Sequence, residues 1–248
     1  MTTVAQIVAA CGLPWTPIAV GTPPPRDAAG AWAPLDVWTS PPVLESSLAV
    51  VRAECEGRRD VATAFVAARF ASPLARLAVV PVITYGRVLD FVPARLWLRH
   101  DQRRLLTGVR ITDAAVRQPA ETVRIATAVE QMVTGYRLVV TGLRETGALG
   151  ARALWGQLAD TVVATVGQAL GDDAEPAAAA EEARRWLRAA DPPLWVTPVF
   201  ARVVAGGTAR LVWRRGSCCL AYRLLLFDLC TGCPLQSRSA WLAAASAR

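Results

Sequence analysis

Apolar residues recur at helical spacing over most of the chain and alternate with polar ones in only two places. From Leu44 to Glu56 and again from Arg59 to Phe70 they return every three or four positions, which predicts two helices with a C-cap at Gly57 between them. A third helix is predicted from Pro73 to about Asp90: Ser72 can cap it, Pro73 suits its first turn, and Pro81 would kink or shorten it. "PAETVRIATAVEQMVTGYRLVVTGL" and "ALGARALWGQLADTVVATVGQAL" resume the period and predict a long antiparallel pair joined near Gly147. "GDDAEP" interrupts the pattern, and the alanine-rich "AAAAEEARRWLRAA" (177–190) predicts one more helix, stopped by "DPP".

The period changes in "ARLWLRHDQRRLLTGVRI" (94–111), where alternation on either side of "HDQR" predicts an antiparallel hairpin with His100, the only histidine, exposed at its turn. "ARLVWRRG" near the C-terminus reads as a further strand. At the other end a short helix precedes "GTPPPRDAAGAWAPLDVWTSPP" (21–42). Its proline and glycine content predicts an extended loop that packs through Trp32 and Trp38. No internal repeat is visible. The pattern gives an α+β protein, mainly helical with a small antiparallel sheet. Residues 1–190 are expected to form a helical region with one hairpin and 191–248 a C-terminal cysteine-bearing region, together one unit.

A chain of 248 residues with 53% hydrophobic and 19% charged positions can bury an ample core. No run of about 18 uncharged apolar residues occurs, and the longest candidate, "LAVVPVITYG" (77–86), is too short to span a bilayer. "MTTVAQIVAACGLPW" has no basic leader before its apolar stretch, so no secretory signal is expected and the cytoplasm is the expected location, with peripheral membrane contact left open.

The net charge is +7, and all 27 cationic side chains are arginine. Lysine and asparagine are absent, a bias that fits a GC-rich genome as well as it fits function. A positive field suits anionic partners. A nucleic-acid interface would need a basic stripe interleaved with aromatics, and none is evident. No GxGxxG or Walker loop occurs either, so electrons or phosphates have no dinucleotide or ATP site in the pattern.

The remaining signal is "RRGSCCLAYRLLLFDLCTGC" (214–233), which holds four of the six cysteines. Cytosolic thiols stay reduced, so such a set points to metal or redox chemistry rather than disulfides. Four thiolates can hold zinc, a [2Fe–2S] cluster or a [4Fe–4S] cluster. Zinc sites usually draw ligands in pairs two to four residues apart, which Cys230 and Cys233 satisfy and the adjacent Cys218 and Cys219 do not. In a regular strand neighbouring side chains point to opposite faces, so both could reach one cofactor only through a bend, for which Gly216 and Ser217 are the candidates. A two-iron cluster is a wider target than one ion. Cys11 and Cys55, isolated on helical stretches, read as small buried hydrophobes. A Rieske site needs two histidines and is excluded for a single chain.

The motif CC-x10-CxxC, with "RRGSCCLAYR" before it and "CTGCP" after it, resembles that of the FhuF-type ferric-siderophore reductase family. The helical segments "DVATAFVAARFASPLARLAVVPVITYG" and "ARALWGQLADTVVATVGQAL" resemble the family more weakly, so the likeness covers most of the chain. The apolar "RLLLFD" departs from a more glycine-rich, polar linker. The resemblance implies that Cys218, Cys219, Cys230 and Cys233 bind a [2Fe–2S] cluster. It further implies an iron–sulfur oxidoreductase that reduces siderophore-held Fe(III), a hydroxamate chelate among the candidates, and releases Fe(II). An external donor, a ferredoxin or a reductase, would supply the electrons. Arg214, Arg215 and Arg223 flank the motif and are the candidates for docking a partner or the chelate. Trp213 is the tryptophan nearest the motif, with no catalytic task assigned. Two other readings stay open: a non-catalytic zinc-binding interaction module, and a [2Fe–2S] protein for electron transfer or iron sensing.

Overall fold

Residues 59–85 form one uninterrupted helix, and the rest of the chain is arranged around it. The structure, a computed structural model, describes residues 2–13, 16–23, 31–145, 148–191, 194–225 and 227–247. In chain order the elements are α1 (Val4–Ala10), β1 (Ile18–Val20), β2 (Ala31–Pro34), α2 (Leu35–Trp38), α3 (Pro41–Glu54), α4 (Arg59–Tyr85), β3 (Val88–Asp90), β4 (Leu96–His100), β5 (Leu106–Ile111) and β6 (Ala115–Arg117). There follow α5 (Glu121–Glu145), α6 (Ala151–Leu170), α7 (Pro176–Arg188), β7 (Val199–Ala205), β8 (Thr208–Arg214) and α8 (Arg238–Ser246). The class is α+β, as the pattern implies.

The break predicted at Ser72–Pro73 does not occur, and Pro81 does not end the helix either. A proline inside a helix removes one N–H donor and costs about 3 kcal/mol. Here Leu74, Leu77 and Val79 are completely buried, so packing on several sides outweighs the lost bonds. Termination comes instead at Gly86 (φ 62°). The N–H groups of Gly86 and Arg87 close on the carbonyls of Val82 and Pro81, both at 3.0 Å, and turn the chain into β3 rather than on to Asp90 as helix. By length and composition α4 could cross a membrane, but 72% of its most apolar stretch is buried inside the fold.

The two helices predicted as an antiparallel pair both form, as α5 and α6, but each packs chiefly on α4 and less on the other. Tyr136 of α5 shows why. Its buried hydroxyl donates to the Leu154 carbonyl of α6 at 2.9 Å and lies 3.3 Å from the Ala67 carbonyl of α4, locking three helices at one point. The predicted joint at Gly147 falls outside the described residues, as do the two prolines of "DPP".

The predicted hairpin is β4–β5, the centre of a four-stranded sheet ordered β1-β5-β4-β2. β1 joins β5 in parallel, so this sheet is mixed rather than antiparallel, while β3–β6 and β7–β8 are separate antiparallel pairs. His100 is not at the exposed turn. It ends β4, and strand alternation carries it to the inner face with Leu96 and Leu98, where it is 5% exposed. Its ring meets Trp38 edge-on at 4.2 Å. The predicted loop over 21–42 is also corrected where it is described: β2, α2 and the start of α3 occupy residues 31–42. Pro34 and Pro41 fit there because they stand at a strand end and a helix start. Trp38 packs as expected, its indole N–H donating to the Leu98 carbonyl at 3.0 Å, and Trp32 is half-buried on β2.

The C-terminal strand prediction is met by β8, paired with β7 across Gly206 and Gly207, whose φ angles of 57° and 80° allow a two-residue turn. One buried apolar cluster runs from Val8 on α1 to Leu224 in the cysteine loop.

Candidate functional site

The cysteine loop leaves the end of β8 and is fastened at once to α6. Asp160, 4% exposed, accepts from the backbone N–H of Gly216 at 2.7 Å, from that of Ser217 at 3.1 Å and from the Ser217 hydroxyl at 2.5 Å. Arg215 Nε stands 3.3 Å from the same carboxylate. One turn earlier, Gln157 donates to the Cys218 carbonyl at 3.1 Å and accepts from Arg215 Nη2 at 2.8 Å. Two side chains three positions apart on one helix face thus hold four consecutive loop residues in a bend. Burial pushes the Asp160 carboxyl above its ordinary pKa, while the Arg215 guanidinium and the donors from Ser217 and Gly216 pull it back.

The predicted bend at Gly216–Ser217 is therefore present, with a different role for the glycine. Gly216 has no left-handed backbone; a Cβ there would lie 2.6 Å from the Val196 Cβ, so the residue is needed for close approach. The left-handed residue is Leu220, at φ 63°, just beyond the cysteine pair. Gly156 on α6 has the matching duty, since a Cβ there would stand 2.9 Å from the Ser217 Cβ.

The middle of the loop is tied to the α3–α4 connection. Glu56 accepts from Leu225 N–H at 2.8 Å, and Arg223 pairs with Asp60 in the first turn of α4. Burial raises the Asp60 carboxyl, but the Arg223 hydrogen bond, the Val61 N–H and Arg58 outweigh it and leave its pKa below the usual value. The loop returns through the CxxC turn, where Arg215 N–H donates to the Gly232 carbonyl at 2.8 Å and Cys233 N–H to the Cys230 carbonyl at 2.9 Å. Arg214 reaches past the turn to the carbonyls of Pro234, at 2.9 Å, and Gln236. All three flanking arginines thus have loop-holding contacts. Between the two cysteine pairs Leu225 is 92% exposed and Phe227 53%.

These anchors bring Cys219 and Cys230, eleven positions apart in sequence, to the wall of one cavity. The Cys230 thiol first of all, then the N–H of Ala221 and the charge of Arg215, lower the Cys219 pKa against the effect of burial. The neighbouring Cys219, with burial and the charge of Cys233, raises that of Cys230. Cys218 is raised by burial and by the charges of Cys219 and Cys233, against the Leu220 N–H that donates to its sulfur at 3.3 Å. Cys233 is buried. Cys11 and Cys55 lie elsewhere in the core, as expected. Among the described residues no three His, Cys, Asp or Glu side chains converge tightly enough to hold an ion. Cys218 and Cys230 each sense the charge of Cys219 and Cys233. In donor type, four soft thiols beside an arginine suit a multi-thiolate cluster.

Cys219 and Cys230 line a cavity of about 600 Å³. α6 contributes Asp160, Thr161, Ala164 and Gln168, and α4 contributes Ser72 and Arg76. Arg210, Trp213, Arg215 and Trp241 also line it. Of these, the sequence pattern had singled out the two cysteines, Arg215 and Trp213, and Ser72 only as a helix cap. Gln157 and Asp160 did leave a trace, as polar residues within a mostly apolar helix.

No family model matches the chain, and no curated protein is found similar to it. The resemblance to the FhuF-type reductases therefore rests on the cysteine motif, its flanking residues and the helical segments quoted above.

Proposed function

We propose that this protein is a cytoplasmic ferric-siderophore reductase of the FhuF type, holding a [2Fe–2S] cluster on Cys218, Cys219, Cys230 and Cys233. The observation that carries the proposal is that Cys219 and Cys230, from the two ends of the loop, line one cavity large enough for a ligand. When bound, such a cluster supplies single electrons, received from an external donor and passed one to each Fe(III).

The chain's own residues have definable tasks in this reading. Gln157 and Asp160 fix the bend so that neighbouring cysteines can serve one cofactor. Arg215, held between them, places positive charge beside the sulfurs, which favours the more reduced and more negative state and raises the potential. In this reading a chelate held in the cavity would lie against Cys219 and Cys230, two of the four proposed ligands. Reduction weakens the hold of anionic oxygen donors, because Fe(II) is less charged and exchanges ligands faster than Fe(III).

Iron and sulfide analysis, with electron paramagnetic resonance on the reduced protein, tests the premise. Two irons and two sulfides per chain, in the stoichiometry of that cluster, are expected, with a rhombic signal that vanishes when ferric chelates reoxidise the protein. A colourless, zinc-loaded preparation refutes the cluster. A reduced cluster that no ferric chelate in a broad panel reoxidises refutes the reductase activity.

A further inference from the structure

We infer that the substrate is a ferric chelate bearing an aliphatic arm, and that a second cavity adjoining the cysteine cavity receives that arm; this rests on the reductase reading above. The second cavity, of about 470 Å³, is lined by Leu13, Thr16, Arg69 and Ser72. Leu105, Leu106 and Thr107, around the start of β5, line it as well. Leu13 and Ser72 also line the cysteine cavity, so the two adjoin. On α4, Arg76 belongs to the first cavity, Ser72 to both and Arg69 to the second, a spacing that keeps all three on one face of the helix. At 1.5 Å per residue the stretch from Arg76 to Arg69 covers about 10 Å.

The second cavity offers a ligand chiefly the aliphatic surface of Leu13, Leu105 and Leu106, because its polar groups are engaged within the fold. The Thr16 hydroxyl donates to the Leu106 carbonyl at 2.9 Å, and the Thr107 hydroxyl to the Arg99 carbonyl at 3.3 Å. Arg69, the one charged residue on its wall, donates through Nη1 to the Arg104 carbonyl at 3.1 Å. The charges of Glu54 and Asp101 act on that guanidinium against the charge of Arg103, so Arg69 contributes its stem more than a free cation. None of the four cysteines lines this cavity. A charged or hydrogen-bonding group would leave water here for little in return, whereas a hydrocarbon chain gains by leaving it. The volume lies within the roughly 300–1,000 Å³ of small-ligand sites. Continuity with the cysteine cavity selects the occupant: a chain attached to whatever sits at Cys219 and Cys230, rather than a free lipid.

Gallium(III) chelates give a test independent of electron transfer, because gallium(III) matches the charge of Fe(III) and is not reduced under these conditions. Titration calorimetry on the full chain as purified compares neutral gallium tris-hydroxamates that differ only in carrying an acetyl, a hexanoyl or a decanoyl arm. A fully buried methylene raises affinity about fourfold and a half-covered one about twofold. The hexanoyl chelate should therefore bind at least about tenfold more tightly than the acetyl one. Leu105→Glu, at an exposed position, should erase that gain while leaving the acetyl chelate's affinity as in the parent, and the milder Leu105→Ala should reduce it. Equal affinity across the three arms, or a gain that survives Leu105→Glu, overturns the inference. So does a metal-free decanoyl amide that binds as tightly as the decanoyl chelate, since the cavity then holds a lipid on its own account. Reoxidation of the reduced cluster by ferric forms of all three chelates at one rate, below saturation, would overturn it while leaving the reductase reading intact. Protein without a cluster would instead refute that reading, whatever the dependence on arm length.

Discussion

Replacing Asp160 by asparagine should release the cysteine loop without unfolding the protein. The carboxylate takes two backbone N–H groups and one hydroxyl within 2.5–3.1 Å and faces Arg215 at 3.3 Å. A hydrogen bond to a charged acceptor contributes about 1.5–3 kcal/mol, and removing one partner of a buried ion pair costs about 3–5 kcal/mol. Asparagine retains one acceptor oxygen but turns an amide toward donors, so about one hydrogen bond and part of the ion pair are lost, about 2–4 kcal/mol. At about 1.4 kcal/mol per factor of ten, the bend closes some thirty- to several-hundredfold less favourably.

The loss is local, because the bend lies at the edge of the fold while Leu154, Leu158 and Val162 of the same helix remain in the core. On the proposed cluster reading, the assay is retention of iron under a chelator challenge, read by visible absorption and compared with urea unfolding of the same sample. Asp160→Asn should lose iron far faster than the parent, with a smaller change in the unfolding midpoint. Ser217→Ala, which removes only the 2.5 Å hydroxyl bond, should lie between them, and the double variant should be less than additive. Iron retention equal to the parent's in Asp160→Asn would refute the idea that α6 holds the site in shape.

Gly156→Ala sets helix propensity against the site. Alanine favours the helix by about 1 kcal/mol, yet its Cβ would stand 2.9 Å from the Ser217 Cβ. Unfolding stability should hold or rise while iron retention falls, and parallel changes in both would argue against the contact. His100 should make stability pH-dependent: burial first, then Arg104 and Arg69, lower its pKa from 6.5 to about 3. The unfolded chain therefore takes up a proton before the folded one does, so stability is full above about pH 6.5 and declines as the pH falls toward 3. At pH 5 the loss is about 2 kcal/mol, and His100→Phe should flatten the urea midpoint across that window relative to the parent.

Local pattern and tertiary context divide what was legible in the sequence. The hairpin at 94–111 and the helix at 177–190 were readable because alternation and alanine content act within a few residues. The continuity of α4 was not, because proline's cost of about 3 kcal/mol is visible locally, whereas the packing that outweighs it comes from segments distant in sequence. His100 was placed at a turn because "HDQR" looks polar, although extending the alternation of Leu96 and Leu98 by one step would have put it inside. The cysteine loop was legible as a motif, and the need for a bend followed from two adjacent thiols. What makes the bend was not, since Asp160 and Gln157 lie more than fifty positions upstream and only folding brings them to Gly216 and Cys218.

The loop's fastening suggests why an apolar linker is tolerated between the cysteine pairs. A self-supporting loop must hold its own shape through turn residues and internal hydrogen bonds. This one is held from outside at three places: by α6 at its start, by Glu56 and Asp60 in its middle, and through Arg215 and Arg214 at its return. Leu225 and Phe227, exposed between the second anchor and the third, are not needed to position any sulfur. Their composition is therefore free of the constraint that fixes Gly216 and Asp160. On this argument, and on the proposed cluster reading, substitutions at Leu225 and Phe227 leave iron retention intact, and changes at the anchors do not.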